Sequence, residues 1–177
     1  GHIVNTSSIN GFWATVGPDV PHTAYSAAKF AVKGFTEALN IDLRLYAPHV
    51  MAHVVMPGHI GTSIALNSTA AHGGPDLERI RKTLAERGAD VDQMSDADLT
   101  ELVVSRGERF RDDAPTTAGE AAAIILDGVR EKRWRILVGD DAIAIDELVR
   151  EDPEFAYETE FLQRIVDRGH LNYFGLR

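Results

Sequence analysis

The chain has 177 residues, a net charge of -9, 44% hydrophobic and 25% charged residues, and no cysteine. A sequence pI of about 5.2 with no basic stripe argues against a nucleic-acid-binding surface, the lack of cysteine excludes disulfides and thiol chemistry, and no apolar stretch approaches the ~20 residues that span a bilayer. The length allows one domain with a sizeable core. With no signal peptide at its start, the sequence reads as cytoplasmic.

Residues 2–7, within Gly1-His2-Ile3-Val4-Asn5-Thr6-Ser7-Ser8, read as a short buried strand ending in hydroxyls, after which Ile9-Asn10-Gly11 turns the chain away. Residues 15–23 contain Gly17, Pro18 and Pro21 and form a loop. A helix follows over about residues 24–46. In its first turns the run Ala24-Tyr25-Ser26-Ala27-Ala28-Lys29-Phe30 sets Tyr25 and Lys29 at i and i+4, which puts both side chains on one face. A phenol beside an ammonium is an acid/base device, because a fixed positive charge favours the ionised phenol. On the same helix Ala27, Ala28, Ala31 and Gly34 permit close approach of another backbone, while Val32, Phe35 and Leu39 extend the apolar surface. So little polar surface leaves packing within the subunit and packing against a second subunit as alternatives, and favours an oligomer.

Residues 50–56 form a second apolar strand, broken by Pro57-Gly58 and followed by His59-Ile60-Gly61-Thr62. Strand, helix, strand with short apolar strands is a right-handed parallel crossover, in which the strand carboxyl ends lie on one edge of the sheet. Ser7, Ser8, Tyr25 and the segment from Pro57 to Thr62 therefore converge on that edge.

Residues 63–115 make a long excursion: 65–74 are small and polar, while 76–87 and 96–111 read as helices. Excursions of this length are usually functional. Leu66, Leu77, Ile80 and Leu84 recur every three to four residues or more, as in a cavity lining or an ordinary core. Thr116 or Thr117 caps a helix with Glu120 in its first turn and an apolar face over 121–129, closed by Arg130, Lys132 and Arg133. Residues 134–138 read as the last strand, ended by Gly139-Asp140-Asp141, and 142–150 and 153–168 as two further helices. The aromatic tail Asn172-Tyr173-Phe174-Gly175-Leu176-Arg177 packs on its own domain or on a partner subunit. The seven histidines show no metal-ligand spacing, and His49 and His53 flank or lie on a strand.

A serine after a strand, Tyr-x-x-x-Lys on the next helix and Pro-Gly-x-x-x-Thr after the following strand occur here in that order. Together they resemble the short-chain dehydrogenase/reductase family, closely over residues 1–62 and more loosely over 115–139. The resemblance implies an α/β fold: the C-terminal part of a Rossmann-type doubly wound parallel sheet in three αβα layers. Residues 1–177 would be the C-terminal portion of one such domain, with a substrate lid at about 63–115 and a helical extension at about 140–177. It implies an NAD- or NADP-dependent oxidoreductase moving a hydride between the nicotinamide and a carbonyl or secondary alcohol. In that role Ser8 would polarise the substrate, Tyr25 would be the acid/base and Lys29 would hold the nicotinamide ribose. Thr62 and the Ile60 backbone, in the loop begun by Pro57 and Gly58, would contact the carboxamide, and no metal takes part.

Ser8 lies 17 residues before Tyr25, about four more than in many family members, so Ser7 stays open as the catalytic hydroxyl. His22 is either a loop residue or faces the pocket, and His59 either faces solvent or touches cofactor or substrate. A long lid suggests a bulky or extended small-molecule substrate, and the family reading suggests a homodimer or homotetramer. The glycine-rich turn, the Asn-Asn-Ala-Gly stretch and the helix asparagine of such enzymes are absent, so the chain reads as the C-terminal portion of a longer enzyme. Its visible strands would form one side of a sheet, leaving an apolar edge for the absent N-terminal half. Two alternatives remain at this level: an epimerase or dehydratase using the same Tyr/Lys pair, and a non-catalytic assembly or binding module lacking the cofactor half. The Pro57 to Thr62 loop favours simple redox chemistry.

Overall fold

A computed structural model describes residues 1–15, 22–86 and 88–170. The aromatic tail and most of the loop at 15–23 lie outside the described residues. In chain order the elements are β1 (His2–Thr6), a 3-10 turn (Ile9–Gly11), α1 (Thr23–Tyr46), β2 (Met51–Pro57), β3 (Ile60–Gly61), α2 (Ile64–Ala71), α3 (Leu77–Glu86), α4 (Asp96–Asp112), β4 (Thr116–Thr117), α5 (Ala118–Arg130), β5 (Arg135–Val138), α6 (Asp140–Glu151), a second 3-10 turn (Phe155–Tyr157) and α7 (Thr159–Asp167).

β1, β2 and β5 form a parallel sheet in the order β1-β2-β5, as an α/β crossover fold requires. His2 lies opposite Met51 and Thr6 opposite Val55, while Val54 lies opposite Arg135 and Pro57 opposite Val138. The central strand buries Ala52, His53, Val54, Val55 and Met56 without alternation, the pattern of a strand covered on both faces. His53 is held there by its ring nitrogens, one 2.8 Å from His2 Nδ1 and the other 2.6 Å from the Arg133 carbonyl. The strand period of two then sorts the helices: Ile136 and Val138 pack with Ala121, Ile124, Ile125 and Val129 of α5, while Leu137 packs on the other cluster, built from Ile145, Leu148, Phe161, Ile165 and Trp13. Arg135 shares the Leu137 face and grips Asp146 of α6. Helices thus cover both faces of the sheet.

α1 is held differently. The residues it buries are Ser26, Thr36 and Asn40. Thr36 Oγ1 accepts from Asn5 Nδ2 at 3.1 Å and donates to the Val32 carbonyl at 2.7 Å, and Asn40 Oδ1 accepts the Ala52 N–H at 3.2 Å. Phe30, Phe35, Ile41, Leu45 and Tyr46 stay exposed on the same helix, as do Ile3 and Val4 on the edge strand β1.

Residues Gly61–Ala114 form a compact unit of their own, and Gly1–Ile60 with the residues from Pro115 onward form the other. In the 61–114 unit, α4 starts on a capping box between Ser95 and Asp98. Arg81 binds the Val91 and Met94 carbonyls and Asp96. The small polar stretch at 65–74 forms a helix as far as Ala71, because its alanines and Leu66 are good helix formers. Gly73 and Gly74, at φ 84° and 109°, follow where that helix has ended.

Candidate active site

The carboxyl edge of the sheet is assembled from three short segments. After β1, the chain continues by one more ladder bond, Ser7 N–H to the Val55 carbonyl at 2.7 Å. The two serines then part. Ser7 Oγ donates to the Lys29 carbonyl of α1 at 2.7 Å. Gly11 makes this contact possible: a Cβ there would lie 2.3 Å from Ser7 Oγ and 3.0 Å from the Lys29 carbonyl oxygen. Ser8 instead caps the 3-10 turn, its Oγ accepting the Asn10 N–H at 3.2 Å. A hydroxyl that accepts one bond still has its own proton to donate. The turn is fastened to the core, since Asn10 Nδ2 donates to the Trp13 and Thr15 carbonyls at 3.0 and 2.9 Å and Trp13 Nε1 donates to the Ala156 carbonyl at 2.7 Å.

α1 brings its first turns to the same edge. Lys29 Nζ donates to the Thr6 carbonyl at 3.2 Å, at the last residue of β1. It also sits 5.5 Å from the centroid of the Tyr25 ring, over the aromatic face. Tyr25 is 45% exposed. The His22 ring meets the Tyr25 ring edge-on at 5.8 Å.

The third segment is the turn after β2. Gly58 N–H donates to the Val138 carbonyl at 2.9 Å and His59 N–H to Asp141 Oδ2 at 2.6 Å. His59 is buried rather than solvent-facing, and Ile60 packs on the Val55, Ile136 and Val138 cluster. Ser8, Tyr25, Lys29, Pro57, Gly58 and Ile60 thus all belong to the body that carries the sheet, at the carboxyl ends of β1 and β2. Thr62 lies in the 61–114 unit, two residues along the chain from Ile60.

Asp141 is a residue the sequence reading passed over. Only 1% of it is exposed, and burial pushes its carboxyl above the ordinary carboxylate range, opposed by the N–H groups of His59 and Ala142 and by the nearby His59 and His170. Two glycines make room for it. A Cβ on Gly58 would lie 2.2 Å from Asp141 Oδ1, and one on Gly139, at φ 100°, would lie 2.5 Å from the same atom. A glycine in the Pro57-Gly58 break and another ending the last strand were the readable signals. Their common cause lies in the β2–β5 register.

Among the described residues no group of three His, Asp or Glu side chains is placed to hold a metal ion, and no helix is long and apolar enough to cross a membrane. The donor set fits one end of a dinucleotide. An ammonium carries three donors, and with one on Thr6 Lys29 retains donors for a ribose diol. The sequence offers no glycine-rich turn for a pyrophosphate.

Comparison with known proteins follows this geometry. The family described as short chain dehydrogenase matches residues 1–73. The chain is 35% identical over 174 residues to the SadH protein of Mycobacterium tuberculosis, whose name marks it as an oxidoreductase; the match covers 98% of this chain and 50% of that one. It is 42% identical over 65 residues to dehydrogenase/reductase SDR family member 11 of Gallus gallus, covering 37% of this chain and 25% of the relative. A short chain dehydrogenase/reductase from Burkholderia phymatum, crystallised in complex with NAD, superposes with a TM-score of 0.57 at 26% identity, covering 88% of this chain and 48% of its own. The fold and motifs are therefore those of a nucleotide-binding α/β oxidoreductase class, and the chain belongs to the short-chain dehydrogenase/reductase family. It spans about half the length of the curated relative it matches end to end.

Proposed function

We propose that this chain is the catalytic, C-terminal portion of an NAD- or NADP-dependent oxidoreductase acting on a carbonyl or secondary alcohol in the cytoplasm. The observation that carries the reading is Lys29, joined to the end of β1 through the Thr6 carbonyl and stacked on Tyr25, with Ser8 following the same strand. A bound nicotinamide would supply or accept the hydride. Ser8 donates a hydrogen bond from its hydroxyl to the substrate oxygen, where negative charge develops, and keeps its proton. Tyr25 gives that oxygen a proton in reduction and takes it in oxidation, a role its half-exposed position supports. Ser7 is less suited to the first role because its proton is engaged by the Lys29 carbonyl.

Lys29 would hold the ribose with its remaining N–H groups, and Pro57, Gly58, the Ile60 backbone and Thr62 would supply the carboxamide contacts. The relative crystallised with NAD supports a nicotinamide cofactor. By the family resemblance, the segment at about 63–115 would bind the substrate, its length suiting a bulky one. The exposed apolar side chains of α1, Phe35, Leu45 and Tyr46 among them, support assembly as a homodimer or homotetramer.

The test uses the full-length protein. Tyr25→Phe removes the proton donor and keeps the ring that Lys29 stacks on, so kcat should fall about 100-fold or more with cofactor affinity nearly unchanged. Lys29→Ala should damage both. A Phe variant with near-normal kcat would overturn the mechanism.

A further inference from the structure

Two carboxylates are buried among the described residues, Asp141 and Asp146. Their partners differ. Asp146 is bound by the guanidinium groups of Arg135 and Arg150. Asp141 has backbone partners on both oxygens: Oδ1 accepts the Ala142 N–H at 2.9 Å, within its own helix, and Oδ2 accepts the His59 N–H at 2.6 Å, from the turn after the neighbouring strand β2. Its hydrogen-bond donors are backbone N–H groups, with the His59 and His170 rings near enough to favour its charged form, and burying a carboxylate is costly. A role limited to starting α6 would be met by the Ala142 bond alone, or by Asp140 beside it on the surface. The second oxygen reaches instead across 82 residues of sequence to the amide directly before Ile60. Both neighbours that could obstruct it, Gly58 and Gly139, lack a Cβ.

We propose that Asp141 is the positioning residue of the Pro57–Ile60 turn, its carboxylate locking the His59 amide so that the Ile60 backbone is presented to the nicotinamide carboxamide. This rests on the cofactor reading above for its ligand. The chemistry is that of a charge-assisted hydrogen bond in a dry site, which is stronger and more directional than a neutral one. The last strand and α6 would thereby be joined to cofactor recognition. Asp141 touches no reacting atom, so its loss should appear in cofactor binding and only weakly in turnover at saturation.

The experiment compares Asp141→Ala and Asp141→Asn with the parent in the full-length protein. It reads amide hydrogen exchange at His59 and Ile60, dissociation constants for NADH and NADPH by fluorescence, cofactor KM against kcat, and Tm. In Asp141→Ala the His59 amide should exchange about tenfold faster or more, the loss of one hydrogen bond to a charged acceptor, while Val54 to Met56 of β2 stay protected. The better-bound cofactor should weaken by a similar factor with kcat within about threefold. Asp141→Asn keeps one carbonyl oxygen for the His59 N–H and should fall between the two; if the Ala variant does not fold, the Asn variant decides by the same readouts. Unchanged His59 exchange, or faster exchange with unchanged cofactor affinity, would overturn the proposal even if Tm fell. The exchange arm needs no turnover, so failure of the Tyr25 test would sink the redox mechanism without deciding this one.

Discussion

Gly11→Ala probes the contact that separates the two serines. The added methyl would sit 2.3 Å from Ser7 Oγ, more than 1 Å short of the 3.4 Å at which ordinary contact begins, and 3.0 Å from the Lys29 carbonyl oxygen. Ser7 cannot rotate away without giving up its 2.7 Å bond to that carbonyl. Losing the bond costs about 1 kcal/mol, and the residual overpacking of backbone against backbone costs about 1–3 kcal/mol. The total is about 2–4 kcal/mol, or a Tm drop of about 4–16 °C for a domain of this size. Because Gly11 lies between the Ser8 turn and the backbone of Lys29, kcat should fall as well. Thermal unfolding monitored by circular dichroism, with kcat on the same samples, checks both. Ser7→Ala in the same chain removes the atom with the worst clash, so the double variant should be more stable than the two single losses added together. A Gly11→Ala protein with parental Tm and activity, or strictly additive losses, would refute the account of Ser7 as the tether of α1.

Asp146→Ala should destabilise by about 3 kcal/mol at neutral pH, since it strands the guanidinium of Arg135, only 15% exposed, after breaking its two-pronged pairing. Burial raises the Asp146 carboxyl, but the bonds from Arg135 and Arg150 outweigh it and hold the pKa below the ordinary value. The stabilisation is therefore complete above the unfolded value of about 3.9 and is lost as the pH falls through the folded one. Urea titrations of both proteins should show a gap that is constant near neutrality and narrows below about pH 4; a gap independent of pH would show that the pair is not ionic. In the 61–114 unit, Gly107→Ala would place a Cβ 2.4 Å from Leu66 Cδ2. Amide exchange in α2 and α4 should accelerate, and Leu66→Ala should relieve it; unaltered exchange in Gly107→Ala would refute that packing.

Several features needed only short-range pattern. Tyr25 and Lys29 share a face because a helix repeats every ~3.6 residues; Pro57-Gly58 ends a strand wherever that strand is packed; and Thr117 with Glu120 is a capping box in the linear text and in space. The parallel order of the sheet follows from the crossover rule applied to the same segments. Other features rest on contacts between distant residues, and no local pattern contains them. The bond that engages the Ser7 hydroxyl spans 22 residues, and Trp13 became a core residue whose indole donates to the Ala156 carbonyl 143 residues away. Asp141 and Asp140 read alike in sequence, and only the β2–β5 register buries one of them against Gly58. α1 shows the limit most plainly: its apolar residues left packing within the subunit and against a second subunit as alternatives, while Ser26, Thr36 and Asn40 are what it buries, Thr36 and Asn40 bonding to strand groups and Phe35 and Tyr46 staying exposed. Periodicity sets which residues share a face, but which face meets which neighbour, and with what hydrogen bonds, is decided when the strands take their register.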